Sequence, residues 1–266
     1  DRLRERIRLA PAKRSTAGPE LAYIYWTMTA DSSIVDAKAV SETETIDRTL
    51  TAYAGHAFIG GSRLKPETLI VRASSDAEPA IEGSDYSITY DDDLLTIALS
   101  GDLAEAESVD ITITRTLEGC VKIVPLLEDG GIPDETMLEK VLEAVNAKDI
   151  RPLTDLVSAV APEIVTYDIE LVYYTTPETE AEVVANVEGS DGAIARYNEW
   201  QVEALGRDIN PDQLRRLILC PSWGENLTGA IRVDVAQPTH TPVSDTQVAK
   251  FSGHLTVSHK SVTGVV

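Results

Sequence analysis

The residues of this chain able to carry chemistry are four histidines, two cysteines and a large excess of carboxylates. His56, His240, His254 and His259 would have to converge to hold a metal or work as acid and base. His254 and His259 are five positions apart on strand-like sequence, so they face opposite sides and cannot share an ion. Cys120 and Cys220 lack CxxC spacing, which disfavours a zinc site or a small disulfide framework. Buried free thiols are the preferred reading, with one long-range disulfide as the alternative. Asp91-Asp92-Asp93 could in principle hold calcium, but the loop lacks the spaced ligands and fixed glycine of an EF-hand. It reads as a hairpin turn. No HExxH, GxSxG, phosphate loop or GxGxxG occurs. No carboxylate pair is marked out by a cleft, so the sequence reads as a non-enzyme without cofactor or metal.

Charge narrows the partners. The formal net charge is -21, from 44 acidic against 23 basic residues. Such a chain has few cations with which to release counterions from phosphates or to adhere to anionic lipid, so neither nucleic acid nor membrane is expected. Proteins are the expected partners. No apolar run reaches bilayer-spanning length. The chain opens at Asp1 and not at methionine, and reads as a piece of a longer protein in which a missing signal peptide carries little weight.

The elements that must position these groups turn on Arg151-Pro152-Leu153-Thr154-Asp155. An amphipathic helix ends before it, with Met137, Leu138, Val141, Leu142 and Val145 on one stripe and Pro133-Asp134 at its start. Strand-like sequence resumes at Leu156-Val157. Pro152 forbids helix, Leu153 can anchor the turn, and Thr154 and Asp155 can bond nearby backbone. Arg151 and Asp155 can meet across the corner.

Upstream, a basic amphipathic helix is expected over 3–10, a turn at Ala17-Gly18-Pro19, and a helix carrying Leu21, Ile24, Tyr25 and Met28. A strand follows at 34–41. Residues 44–118 then alternate in short runs (69–71, 86–90, 95–99, 109–113), the signature of an antiparallel β module. Cys120–Leu127 suits a buried strand, and 163–175 a half-buried one with Val165, Tyr167, Ile169, Leu171 and Tyr173 facing the core. Helical pattern over 180–205 breaks at Gly189–Gly192, and Gly206 suits a helix-closing position. Asn210-Pro211 starts another helix, 221–226 is loop, and two strands follow around 231–235 and 251–257. Gly253 is expected to weaken or bulge the last.

The fold class is therefore α+β: a mixed-sheet core with helices packed on one face, interrupted by an inserted all-β, antiparallel, sandwich-like module. The domains are 1–43 plus 119–266, discontinuous, and 44–118, inserted.

Several pieces, in order and spacing, resemble the baseplate J-like wedge proteins of contractile-tailed phages and related injection systems. They are Arg6-Ile7-Arg8-Leu9-Ala10-Pro11, Ser15–Pro19 and Tyr23; then Arg151–Asp155, Ala161-Pro162-Glu163 and Tyr167-Asp168-Ile169; then Gly206–Pro211, Gly229–Val233 and Val248-Ala249. The match covers about 1–41 and 120–259, and the 44–118 insertion departs from the compact pattern. The resemblance implies a structural subunit of the tail baseplate. Its partners would be other wedge and hub proteins and further copies of itself. It would stand in the virion tail, and in host cytoplasm during assembly. Arg151, Pro152, Leu153, Thr154, Asp155, Arg207 and Asp208 are the motif residues it singles out, as fold-keeping turns or interface pairs. The competing reading is an exposed β module that recognises a host glycan or another tail protein, with Tyr53, Tyr86 and Tyr90 as stacking candidates.

Overall fold

The computed structural model describes residue 4 and residues 20–91, 93–147, 151–152, 154–219 and 229–263. The expected helix over 3–10 (apart from Arg4), the turn at 17–19, Leu153, Cys220 and the loop at 221–226 lie outside the described residues. Two compact units emerge, 1–40 with 122–266, and 41–121.

The larger unit begins with helix α1 (Glu20–Ala30), which buries Ala22, Tyr23, Thr27 and Met28. Strand β1 (Ile34–Thr51) starts in this unit and β6 (Ser108–Leu127) ends in it. Helix α2 (Glu135–Val145) starts where Asp134 accepts the Met137 backbone N–H at 2.9 Å, a side-chain cap, and it buries Val141 and Val145. Strand β7 (Leu156–Ala159) pairs with β6.

Strand β8 (Glu163–Thr175) has a buried row at Tyr167, Ile169, Leu171 and Tyr173, with Thr166, Asp168 and Glu170 on the other side. Helices α3 (Glu180–Glu188), α4 (Ala193–Val202) and α5 (Pro211–Leu219) cover that row with Val183, Val187, Ile194, Tyr197, Leu214 and Ile218. Strand β9 (Arg232–Gln237) lies antiparallel to β8, and β10 (Gln247–Ser261) parallel to it, in the order β10-β8-β9. The sheet is mixed, with these helices on its apolar face. The β10 register shifts between Phe251 and Leu255, where Gly253 takes φ +94°.

The smaller unit consists of two antiparallel sheets. Strand β3 (Leu64–Arg72) pairs with β6, which neighbours β1. The other sheet orders β2 (His56–Gly60), β5 (Leu94–Leu99) and β4 (Tyr86–Asp91) as β2-β5-β4. Ala57, Ile59, Leu95, Ile97 and Leu99 meet Leu64, Val71, Val109, Ile111 and Ile113 in one core, which makes the unit sandwich-like. Asp91 pairs with Leu94 at the end of the β4–β5 ladder, where the sequence expects a hairpin turn.

The structure corrects several expectations. The segments expected to end at 41 and to restart at 120 belong to single strands of 18 and 20 residues. Residues 41–51 have lost apolar alternation because they are exposed or half-exposed, yet their backbone pairing continues. Strand β2 had no sequence signal beyond Ala57 and Ile59. Gly206 has a left-handed φ of +67°, but α4 ends earlier, at Val202. Cys120 is free and partly exposed, not a buried thiol.

Candidate interface site

The corner that follows α2 is held by hydrogen bonds the sequence did not assign. Arg151 does not pair with the Asp155 carboxylate. Its guanidinium Nη1 donates to the Asp155 backbone carbonyl at 2.7 Å, and the Asp155 N–H donates to the Pro152 carbonyl at 3.2 Å. That leaves the carboxylate free for others. Asp155 Oδ2 accepts the Tyr23 hydroxyl at 2.7 Å, and Oδ1 accepts the Thr154 hydroxyl at 3.1 Å. Tyr23 is buried in α1, so this bond joins the first helix to the corner. Burial first, and then the Asp155 carboxylate, push the Tyr23 hydroxyl well above the usual tyrosine range. The neutral phenol is thus the form the fold selects.

The second set, Arg207 and Asp208, is likewise not a pair. Arg207 lies over the Trp200 ring with 4.4 Å between Cζ and the ring centroid, and its Nη1 donates to the Trp200 carbonyl. Its Nη1 is 3.7 Å from a Glu203 carboxylate oxygen. Burial draws the guanidinium below its ordinary pKa, opposed by Glu203 and Asp36. Asp208 turns the other way, accepting the Val243 N–H at 2.9 Å, with His240 at 3.7 Å. The backbone between the two is held by buried Gln201, whose amide donates to the Arg207 carbonyl at 2.8 Å and the Asp208 carbonyl at 3.3 Å.

Sequence reasoning missed Asp36. From β1 it accepts the N–H groups of Ala37 and Leu205, each at 2.9 Å, fastening the strand to the segment after α4. Burial raises its pKa, against the two N–H donors and the charges of Lys38 and Arg207. The available signal was a lone acid in the apolar run Ile34-Val35-Asp36-Ala37. Its partner, 169 positions away, left none.

Beside this region is an open groove of about 920 Å³ within the larger unit. Val35, Val202 and Phe251 supply apolar surface, and Glu128, Asp129, Glu199, Glu203, Arg207 and Lys250 supply charge.

The histidines are dispersed. His259 Nε2 is 2.9 Å from Glu180, His254 Nδ1 is 3.7 Å from Asp168, and His56 Nδ1 is 3.0 Å from the Ala54 carbonyl. Among the described residues, no three His, Cys, Asp or Glu side chains are grouped to hold a metal. Among them, too, no helix is long and apolar enough to cross a membrane. Of the stacking candidates, Tyr86 is buried in the sandwich core, which removes it. Tyr90 bonds the Gly61 carbonyl and Asp93, each at 3.3 Å. Tyr53 is exposed.

An α+β scaffold with hydrogen-bonded corners and an open groove is the class these features define. The family described as "Baseplate J-like central domain" matches residues 107–161, from the start of β6 through α2 and the Arg151–Asp155 corner to the end of β7. Arg207 and Asp208 fall outside that match. The chain is also 25% identical, over 193 residues, to "Baseplate protein J" of Escherichia phage P2. The alignment covers 71% of this chain and 60% of that relative, so the chain spans less than two thirds of the relative's length. Both similarities support a baseplate J-like protein, the family that the sequence resembles.

Proposed function

We propose that the chain is a structural wedge subunit of a phage or phage-like tail baseplate, acting through protein–protein contacts in tail assembly and contraction. The observation that carries this reading is the family match at 107–161, which falls on one continuous run of strand, helix, corner and strand. Residues 1–43 with 119–266 form the wedge core, and 44–118 an inserted β domain. Arg151, Pro152, Leu153, Thr154, Asp155, Arg207 and Asp208 keep the turns that present the surrounding surface. That role is supported by the bonds of Arg151, Thr154, Asp155 and Asp208 within their own chain. Partners are other wedge and hub proteins and further copies of this chain, in the virion tail and, during assembly, in host cytoplasm. Nucleic acid and membrane are not partners, and no reaction is catalysed.

Permanent contacts of such a subunit bury roughly 2,000 Å² or more. Co-expression with the neighbouring tail proteins, followed by affinity purification and sedimentation velocity, tests the reading. A stable complex is expected. Intact contractile tails assembled at wild-type yield without this chain would overturn it.

A further inference from the structure

The smaller unit presents one sheet face that differs from the rest of its surface. The β2-β5-β4 sheet turns Ala57, Ile59, Leu95 and Ile97 inward. By the strand registers, its outward positions are His56, Phe58 and Gly60, then Leu94, Thr96 and Ala98, then Ser87, Thr89 and Asp91. Residues 41–121 hold 16 Asp and Glu against 5 Lys and Arg. Yet among the described outward positions there is a single carboxylate, Asp91, at one end.

Three rings gather on it. Tyr53 bridges antiparallel to His56, with backbone bonds of 2.7 and 3.0 Å exchanged between them, and such pairs project to the same side. His56 and Phe58, two residues apart, hold near-parallel rings with centroids 6.3 Å apart and planes 16° apart. Tyr53 is 73% exposed and Phe58 46%. Beside the rings stand Ala98, Thr96, Thr89 and Ser87, small side chains that leave the row raised and offer three hydroxyls.

We infer that the Tyr53–His56–Phe58 row is a binding platform for a neutral polysaccharide. Apolar C–H faces of pyranose rings pack on exposed aromatic rings, and hydroxyls of Thr and Ser can exchange hydrogen bonds with sugar hydroxyls. Charge decides between classes of glycan. A face without Lys or Arg, on a unit with a strong acidic excess, repels an anionic chain and costs a neutral one nothing. The spacing of the rings by threonine, serine and alanine also differs from the closed apolar centre of a protein interface. The inference does not depend on the baseplate reading.

The purified full chain, run in native gels containing dextran, laminarin, galactomannan or the anionic polygalacturonate, tests it. Retardation by at least one neutral polymer and none by polygalacturonate is expected. Tyr53→Ala and Phe58→Ala should each weaken the retardation about tenfold or less, by loss of one ring contact. Their exposure keeps the fold intact, to be checked by circular dichroism. Retardation by none of the neutral polymers, retardation in both variants undiminished from wild type, or any retardation by polygalacturonate would overturn the platform. So would a self-association of the chain that Tyr53→Ala abolishes, which would mark the row as a protein contact.

Discussion

Replacing Tyr23 with phenylalanine removes one atom from a buried position and isolates what that atom does. The ring, 2% exposed, keeps its packing. What disappears is the hydroxyl's 2.7 Å bond to Asp155 Oδ2. Hydrogen bonds to charged groups contribute about 1.5–3 kcal/mol. Asp155 is only half-buried and keeps the Thr154 hydroxyl, so water can partly replace the lost donor. The lower end applies: about 1.5 kcal/mol, slightly more than a tenfold fall in the folding constant. Asp155→Asn keeps a neutral acceptor and should cost about 0.5–1 kcal/mol. The double variant should fall short of the sum by about 1 kcal/mol, the coupling of the pair. Urea denaturation followed by circular dichroism measures all four proteins.

The bond also has a pH signature. The folded state raises the Tyr23 pKa above its unfolded value near 10, so its contribution is complete below that pH and declines as pH rises through the folded value. Wild type should therefore lose stability above about pH 10 more steeply than Tyr23→Phe. A Tyr23→Phe protein as stable as wild type, or additive effects in the cycle, would refute the claim that this bond fastens α1 to the corner.

Three further outcomes follow from the same reasoning. Because burial raises the Asp36 pKa, its ionisation works against the fold: the benefit of the raised pKa is complete below the unfolded carboxyl range and fades as pH rises through the folded value. Asp36→Asn should flatten the decline in stability above the unfolded carboxyl range, whereas Asp36→Ala should cost about 1–3 kcal/mol by orphaning the Leu205 and Ala37 N–H groups. Gly206→Ala should cost about 1–3 kcal/mol in a urea melt, since φ is +67° and a Cβ would come within 2.8 Å of Asp245 Oδ1 and 3.1 Å of its Cα.

Local pattern carried a good part of the architecture. β8 was legible from end to end, because a strand with one buried face writes its alternation directly into the chain. The apolar stripe of α2, its Asp134 cap and the Asn210-Pro211 entry to α5 were equally local, since each partner lies within one turn of helix. Burial is what makes such signals, so β1 beyond residue 41 was lost where its side chains turn to solvent.

The candidate site was half legible. Proline and glycine marked where the corners fall, but not what holds them. Arg151 could be placed near Asp155, yet sequence spacing does not distinguish a carboxylate from a backbone carbonyl, and the carbonyl is what it binds. Tyr86 shares its alternation with Tyr90, and only the opposing sheet decides that the first is buried and the second exposed.

The sequence by itself determined the alternation of strands and helices, the acidic character and the position of the turns, because these depend on neighbours within a few residues. Only the tertiary structure decided that Tyr23 meets Asp155 across 132 positions, that Asp36 meets Leu205 across 169, and that Tyr53, His56 and Phe58 share one face. Those pairings are set by how strands and helices pack against one another, and contacts at such separations leave no periodic trace in the chain.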